Sequence, residues 1–300
     1  MKVVILMGGN SKERQVSLQS GNAVFRACKQ IGYMTSIIDM TEDIDYYLNE
    51  LKKYDVVFIG LHGGEGENGT IQKTLEQNGI VFTGSDSKSS ALCMDKNLSK
   101  IKAKDIGIPT PKWNLIKNVS NIDLNMQKFP VIVKPNDQGS TVGLYLVEEI
   151  DNFKSSVEKS LEFSKKVILE EFIFGKEITV PVLGDSALPI VEIKPKSGFY
   201  DYKSKYTKGL TDYVCPADID EELTAKLKEY SIQIHKKFGC SHYSRVDFRI
   251  DNNNNPFFLE INTLPGMTDT SLVPISASSV GMSFSSLVKK IIDLTLVSAR

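Results

Sequence analysis

RVDFRIDNNNNPFFLEINTLPGMT, residues 245–268, is the most informative stretch of the sequence. Two segments of alternating polar and apolar residues flank an asparagine-rich turn, which predicts a β-hairpin. Because side chains alternate between the faces of a strand, Arg245 and Asp247 share one face of the first strand. Glu260 and Asn262 likewise share one face of the second. The other face is predicted to be apolar and to hold Val246, Phe248, Ile250, Leu259 and Ile261.

The polar face of this hairpin has two interpretations. Two carboxylates, an amide oxygen and a guanidinium suit Mg²⁺ with bound phosphates, because Mg²⁺ prefers a few carboxylates together with substrate oxygens. A solvated hairpin with incidental charges would show the same residues, and the hairpin alone favours that second interpretation. The rest of the chain has to decide between them.

Composition narrows the class of protein. The 300 residues suggest about two domains, or three small ones, and 41% hydrophobic with 24% charged residues is typical of a soluble globular protein. A net charge of −1 gives no reason to expect nucleic acid or an anionic membrane as a partner. The first apolar run is too short for a signal peptide, and the four scattered cysteines form no Cys-x-x-Cys pair. We therefore expect a cytoplasmic protein with reduced thiols.

The order of predicted elements indicates a mixed α/β and α+β fold. Strands alternate with helices up to Gly84, which predicts a parallel, doubly wound sheet. A second block follows with antiparallel strands, and a third begins at Gly175. Predicted helices span 12–31, 69–78, 151–162, 219–237 and 281–297, and a mainly helical passage runs from the boundary at Gly84 to Ile106. Predicted strands include 80–82 and 167–173. A polar, aromatic loop is predicted over 197–217.

A glycine motif suggests one alternative function. The segment Gly64–Gly69 matches G-x-G-x-x-G, follows a strand and opens a helix, as in nicotinamide-dependent dehydrogenases. However, Glu65 and Glu67 would place two carboxylates where a pyrophosphate must bind, and like charges repel. The pattern G-x-x-x-x-G-K-[ST] of nucleoside-triphosphate P-loops occurs nowhere in the sequence.

Phosphate binding is better explained by lysines and a second glycine loop. Lys134 ends a buried strand, and the small residues of 139–143 can bring backbone N–H groups against phosphate oxygens. Lys96, at a helix start, is a second candidate cation. A strand-end lysine, a plain turn and a surface charge remain the structural alternatives.

Acids at the end of a hydrophobic strand suggest a nucleoside site. Glu170 and the neighbouring backbone could bind a purine edge, and Glu177 a ribose hydroxyl. A charged strand edge is the alternative interpretation.

Several motifs in one order share a single explanation. The chain resembles the D-alanine–D-alanine ligases of the ATP-grasp superfamily along essentially its whole length. The resemblance is carried by residues 8–17, 61–69, 94–96, 131–143, 199–206, 215–217, 245–247 and 260–274.

This resemblance implies a three-domain ATP-grasp architecture. An N-terminal parallel-sheet domain, 1–85, lies on the substrate side. It is followed by two α+β domains, 86–175 and 176–300, whose antiparallel sheets clasp ATP. The resemblance further implies a homodimer that makes D-alanyl-D-alanine for peptidoglycan from D-alanine and ATP, with two Mg²⁺ or Mn²⁺ ions. The composition given above predicts that the protein is cytoplasmic and binds neither nucleic acid nor membrane.

Site roles are carried over from the same resemblance. The metal ligands are Asp247, Glu260 and Asn262, and the ATP contacts are Lys96, Lys134, Glu170, Ile173, Glu177 and Lys205. The catalytic residues are Glu13, Ser140, Tyr206, Arg245, Gly266 and Ser271. The substrate-binding residues are Glu13, Val16, His62, Tyr200, Arg245, Gly266, Ser271 and Leu272.

The chain departs from the family pattern at Asn68, where an acid is usual, and at Thr141, where a second serine is common.

The loop 197–217 is the expected lid over the site, and an RNA-stacking patch is its alternative. Tyr206 favours an amine as second substrate over D-lactate, whereas D-serine stays open. A non-catalytic nucleotide-binding protein is the remaining alternative.

Overall fold

The computed structural model describes residues 1–118, 128–196, 205, 207, 209–268 and 270–298. Its helices are α1 Arg14–Ile31, α2 Ile44–Leu51, α3 Thr70–Gln77, α4 Ser87–Met94, α5 Lys96–Asp105, α6 Phe153–Leu161, α7 Glu221–Lys237, α8 Leu272–Ser279 and α9 Phe284–Ser298. Its strands are β1 Lys2–Gly8, β2 Met34–Met40, β3 Val56–Ile59, β4 Trp113–Ile116, β5 Val131–Pro135, β6 Tyr145–Val147, β7 Val167–Glu171, β8 Lys176–Leu183, β9 Ser186–Ala187, β10 Val191–Pro195, β11 Thr211–Val214, β12 Tyr243–Ile250 and β13 Pro256–Asn262.

The first sheet is parallel, with strand order β2-β1-β3. Strand β1 is buried from its second residue to its last, as expected for a parallel strand that is covered on both faces. The predicted strand 80–82 contributes an isolated parallel bridge between Val57 and Phe82. The prediction of a parallel N-terminal sheet is confirmed.

The central sheet is antiparallel, with order β4-β7-β5-β6. Helix α6 covers one face, where Phe153 and Val157 pack into a core with Val131, Val133 and Val167. The strand β5 ends at Lys134 and Pro135, so the lysine lies near the end of an inner strand of this sheet.

The third sheet follows the order β11-β10-β8-β12-β13, with β9 paired to β8, and its described pairings are antiparallel. The predicted hairpin is present as β12 and β13. Strand β11 lies within 197–217, so the end of the predicted loop belongs to the sheet instead.

The hairpin contains one bulge that the alternation rule missed. Asp247 pairs with Glu260, but the next residue, Phe248, pairs with Phe258, so Leu259 is the extra residue. Phe258 is therefore fully buried, whereas Leu259 is partly exposed and lines the cleft described below. The prediction that Leu259 faces the apolar core is wrong for this reason.

Two helices were absent from the sequence prediction. Helix α2 is short, and α8 contains Pro274 near its start together with a run of small residues, so neither shows a long amphipathic period. Helix α8 begins at Leu272, with Ser271 at its N-cap position.

The C-terminal helix returns to the first sheet. Leu287, Val288 and Ile291 of α9 are fully buried and belong to the same core as Val4 and Ile5 of β1. The last segment of the chain therefore stabilises the first sheet. In the ranges that the structure describes, every helix is too short or too polar to cross a membrane.

Replacing Phe258 with alanine should lower the free energy of unfolding by about 3–5 kcal/mol, because a fully buried phenyl ring leaves a cavity in the core under β12 and β13. Chemical denaturation followed by circular dichroism measures the change. The matched control is Phe174→Ala, whose ring is 59% exposed and should cost about 0.5 kcal/mol or less. Equal losses of unfolding free energy in the two variants would contradict the buried position of Phe258.

Candidate active site

One cleft of about 480 Å³ lies between the central and C-terminal sheets, and residues of the N-terminal region also line it. Its volume is that of a small-molecule site. It is lined by every candidate residue that the structure describes: Glu13, Val16, His62, Lys96, Lys134, Ser140, Glu170, Ile173, Glu177, Lys205, Arg245, Asp247, Glu260, Asn262, Gly266, Ser271 and Leu272. Tyr200 and Tyr206 lie outside the described residues.

Asp247 is the most constrained carboxylate of the hairpin. The Arg245 Nε donates to its Oδ1 at 2.9 Å and the Arg245 Nη2 to its Oδ2 at 2.7 Å, a two-point contact. The Thr179 hydroxyl donates to Oδ1 at 2.5 Å, and the Asn262 amide to Oδ2 at 3.0 Å. The carboxylate is therefore fixed on the cleft face of the sheet before any ligand binds.

The residue types on this face fit Mg²⁺. Asp247 lies directly across from Glu260, and Asn262 follows two residues later on the same strand. Two carboxylates and an amide oxygen leave room for phosphate oxygens and water in the coordination shell, which is the usual arrangement for this ion. Among the residues that the structure describes, no group of three or more His, Cys, Asp or Glu could hold a metal ion without other ligands.

Glu260 is held in its charged form. Burial would raise the pKa of this carboxyl, but Lys96, Lys205, Lys134 and Arg245 lower it to about 2. The Lys96 ammonium lies 3.2 Å from a Glu260 oxygen and also donates to the Gln138 carbonyl at 2.7 Å. Asp95 caps helix α5 by accepting from the Leu98 N–H, and this cap sets where Lys96 begins the helix. At neutral pH the cleft therefore offers an anionic carboxylate at Glu260.

A buried group of three charges lies at the other wall of the cleft. The Lys134 ammonium is 2.7 Å from Glu170 Oε1, and the Lys100 ammonium contacts Glu170 Oε2. Lys100 is fully buried, donates to the Thr110 hydroxyl at 2.6 Å and lies 5.5 Å from the centroid of the Trp113 ring. Glu170, predicted as a nucleoside contact, is thus bound by two lysines in the structure.

Lys100 is the functional candidate that the sequence analysis missed. It follows Lys96 by four residues on α5, so both project from one side of that helix. Burial lowers the pKa of Lys100 to about 8, although Glu170 opposes the change. Burial would raise the pKa of Glu170, but Lys100 and Lys134 lower it below its ordinary value. The helical spacing of the two lysines was the available signal.

The small-residue loop after β5 adopts an uncommon backbone. Ser140 and Thr141 have φ values of 49° and 58°, in the left-handed region that non-glycine residues seldom occupy. The Ser140 hydroxyl donates to Glu13, which joins this loop to the start of α1. Backbone strain of this kind persists where surrounding contacts fix it, often at functional sites.

Glu13 lies in a partly acidic environment. Burial and the nearby Glu67 raise the pKa of Glu13, while Ser140, His62 and Lys205 work against that change. His62 contacts Glu67 at 3.3 Å through Nδ1 and Ser20 at 3.0 Å through Nε2. The Gly64–Gly69 segment therefore turns Glu67 toward this acid cluster.

The segment after β13 also lines the cleft. The Thr268 N–H donates to the Ser271 hydroxyl at 2.9 Å, which fixes the turn before α8. A Cβ at Gly266 would lie 2.9 Å from that hydroxyl, so a side chain has no room there. The N-terminus of α8 favours a carboxylate at this position.

Two antiparallel sheets that face a cleft lined by lysines and acids define the ATP-grasp class of ligases. The family model for the C-terminus of D-ala D-ala ligases matches residues 103–293, and the model for their N-terminus matches residues 47–85. The chain belongs to the D-alanine–D-alanine ligase family.

Individual relatives agree with that assignment. The D-alanine–D-alanine ligase of Aquifex aeolicus is 43% identical over 97% of this chain and 100% of its own length. The structure of the Bacillus anthracis D-alanine–D-alanine ligase complexed with ATP has a TM-score of 0.87 at 33% identity, and covers 100% of this chain and 98% of that one. The VanG D-Ala:D-Ser ligase of Enterococcus faecalis has a TM-score of 0.81 at 33% identity, with 98% and 99% coverage.

Replacing Lys100 with methionine should lower the free energy of unfolding by about 3 kcal/mol at pH 7, because Glu170 keeps only one of its two cations in a buried position. Urea denaturation measures the loss. Lys104→Met changes an exposed lysine of the same helix and should cost about 0.5 kcal/mol or less. Similar losses in the two variants would show that Lys100 has no buried partner.

The titration of Lys100 should also change the free energy of unfolding above neutral pH. The folded chain releases the Lys100 proton near pH 8, whereas the unfolded chain retains it up to about 10.5, the ordinary pKa. Since the unfolded state then binds more protons, the free energy of unfolding of the wild type should rise relative to that of Lys100→Met between these pH values. If the free energy of unfolding changed with pH in the same way in both proteins, the lowered pKa of Lys100 in the folded chain would be contradicted.

Proposed function

We propose that this protein joins two D-alanine molecules into D-alanyl-D-alanine for peptidoglycan, with ATP converted to ADP and phosphate. The observation that carries the proposal is one cleft that brings the hairpin carboxylates together with Glu13, Ser140 and Ser271. Membership of the D-alanine–D-alanine ligase family and a 33% identical relative solved with ATP support it. The division into 1–85, 86–175 and 176–300 and a homodimeric, cytoplasmic protein belong to the same proposal.

In the proposed first step, the carboxylate of one D-alanine attacks the γ-phosphate of ATP and forms an acyl phosphate and ADP. The barrier is mainly charge crowding on the phosphate oxygens. Lys96, Lys134 and Lys205 line the cleft as cations for these oxygens. Asp247, Glu260 and Asn262 would hold two Mg²⁺ or Mn²⁺ ions, which supply further charge neutralisation when bound.

Glu13 is proposed to bind the ammonium of this first D-alanine. Its carboxylate lies at the start of α1 and is held by Ser140, with Val16 and His62 lining the same end of the cleft. A bound ammonium would offset the burial and the Glu67 charge that raise the pKa of Glu13. Substrate binding would therefore stabilise the charged form of this carboxyl.

In the proposed second step, the amine of the other D-alanine attacks the acyl carbon. Arg245 and the Gly266 N–H are the proposed donors to the oxyanion, and phosphate then leaves. Ser271 and the backbone at Leu272, where α8 begins, are proposed to bind the carboxylate of the second D-alanine. An acyl phosphate hydrolyses in water, so closure by the 197–217 segment, with Tyr200 and Tyr206, forms part of the proposal. Residues 197–204, 206 and 208 of that segment, Tyr200 and Tyr206 among them, lie outside the described residues.

D-alanine as the second substrate has one specific alternative. A D-Ala:D-Ser ligase matches this structure at a TM-score of 0.81, so D-serine is the second candidate. The nicotinamide alternative has less support, because Glu67 of the glycine motif lies beside His62 and Glu13 in the cleft. Two carboxylates there would repel a pyrophosphate.

D-alanine with Mg·ATP should give ADP release that depends on the amino acid, and mass spectrometry should identify D-alanyl-D-alanine. L-alanine is the matched control and should give no stimulation. D-serine and D-lactate, added with D-alanine, report the second-site preference through the mass of the product. ADP release that ignores every D-amino acid would refute the proposed reaction.

Asp247→Asn should lower kcat at least a hundredfold, because a neutral amide loses the charge that a metal ligand and the Arg245 pair both require. Steady-state kinetics at saturating ATP and D-alanine measure the change. Asp251→Asn, in the exposed hairpin turn, is the control and should leave kcat within about twofold. Full turnover in Asp247→Asn would exclude this carboxylate as a metal ligand.

A further inference from the structure

A short linker connects the two sheets that form the cleft. Residues 172–175 join β7 of the central sheet to β8 of the C-terminal sheet. Phe172, Ile173 and, just beyond the linker, Glu177 line the cleft. The shape of this linker therefore sets both a wall of the cleft and the angle at which the two sheets meet.

Arg249 contacts this linker at several points. It lies on β12, directly across from Glu177 of β8. Its Nε donates to the Ile173 carbonyl at 3.0 Å, its Nη2 to the Gly175 carbonyl at 3.0 Å and its Nη1 to Glu177 Oε2 at 3.1 Å. The guanidinium carbon also lies 5.1 Å from the centroid of the Phe172 ring. One planar cation thus holds two linker carbonyls, a carboxylate and an aromatic face.

The linker backbone also fits tightly against the end of β12. Gly175 has a φ of 129°, and a Cβ there would lie 2.0 Å from the Ile250 carbonyl oxygen. Only glycine allows this approach. The linker is therefore fixed from two sides, by the guanidinium of Arg249 and by the backbone of the next residue.

We propose that Arg249 is a positioning residue for nucleotide binding, which holds the linker and Glu177 in the shape that receives the nucleoside of ATP. The inference rests on the ATP site of the proposed function and on no property of the amino-acid substrates. Arg249 itself lines the cleft, but each of its three guanidinium nitrogens already donates to Ile173, Gly175 or Glu177, so it acts through these partners. Only 12% of its side chain is exposed, and a buried, multiply bonded guanidinium keeps these partners in one arrangement.

The test compares two ligands that differ in the nucleoside. Mg·ADP carries the base and ribose, whereas Mg·tripolyphosphate reaches the lysines and the hairpin face alone. In Arg249→Met, the Kd for Mg·ADP by titration calorimetry should rise roughly tenfold, since the loss of hydrogen bonds to a charged group frees the linker. The Kd for Mg·tripolyphosphate should stay within about twofold.

Two further variants separate positioning from general stability. Arg249→Lys keeps a positive charge near Glu177 but cannot span the two carbonyls, so its Kd for Mg·ADP should lie between those of wild type and Arg249→Met. Arg14→Met removes a guanidinium bound to two carbonyls and a carboxylate, Gly9, Met40 and Asp39, away from the linker. It should lower the melting temperature with the Kd for Mg·ADP unchanged.

An unchanged Kd for Mg·ADP in Arg249→Met, or equal weakening of Mg·ADP and Mg·tripolyphosphate, would overturn the proposal. If Arg249→Met does not fold, Arg249→Lys provides the test. A Kd for Mg·ADP equal to that of the wild type in this variant would also overturn the proposal. The outcome is separate from the ligation reaction. A wild type that binds Mg·ADP but makes no dipeptide would refute the proposed reaction and leave the role of Arg249 intact.

Discussion

One irregularity in strand pairing fixes the geometry of the cleft. Strand β12 pairs with β8 without interruption, but its pairing with β13 shifts by one residue after Asp247. On one side of the shift, Asp247 and Glu260 face the cleft as opposed carboxylates. On the other side, Phe248 and Phe258 both enter the core. A single extra residue in β13 thus allows a polar site and a packed core to share the same two strands, as bulges near active sites commonly do.

The charged side chains that line the cleft form ion pairs within the protein. Lys96 contacts Glu260, Lys134 contacts Glu170, and Arg245 holds Asp247. Lys96 and Lys134 are the cations proposed to bind phosphate oxygens, and each is held by an acid of the protein. Such fixed charges need little rearrangement during a reaction, which is the main electrostatic advantage of an enzyme site over water. Lys100 supports this arrangement from inside the protein, because it binds the far oxygen of Glu170.

Local sequence patterns predicted much of the fold. The parallel first sheet, the antiparallel second block and the hairpin follow from alternation and helical spacing, and the candidate residues within the described ranges line one cleft. Leu259 was misplaced because a bulge depends on pairing between strands, which a single strand's alternation does not encode. Helix α8 was missed because its residues show no clear period. Lys100 and Arg249 were overlooked because their partners, Glu170 and the 172–175 linker, are distant in sequence.

The central claim is that metal, nucleotide and amino-acid substrate share this one cleft. Crystals grown with Mn²⁺ and a non-hydrolysable ATP analogue, with diffraction measured at the manganese absorption edge, test it most directly. We expect anomalous peaks from manganese between Asp247, Glu260 and Asn262, with the adenine against the 172–175 linker. Manganese bound elsewhere, or a nucleotide on the Gly64–Gly69 segment, would contradict it.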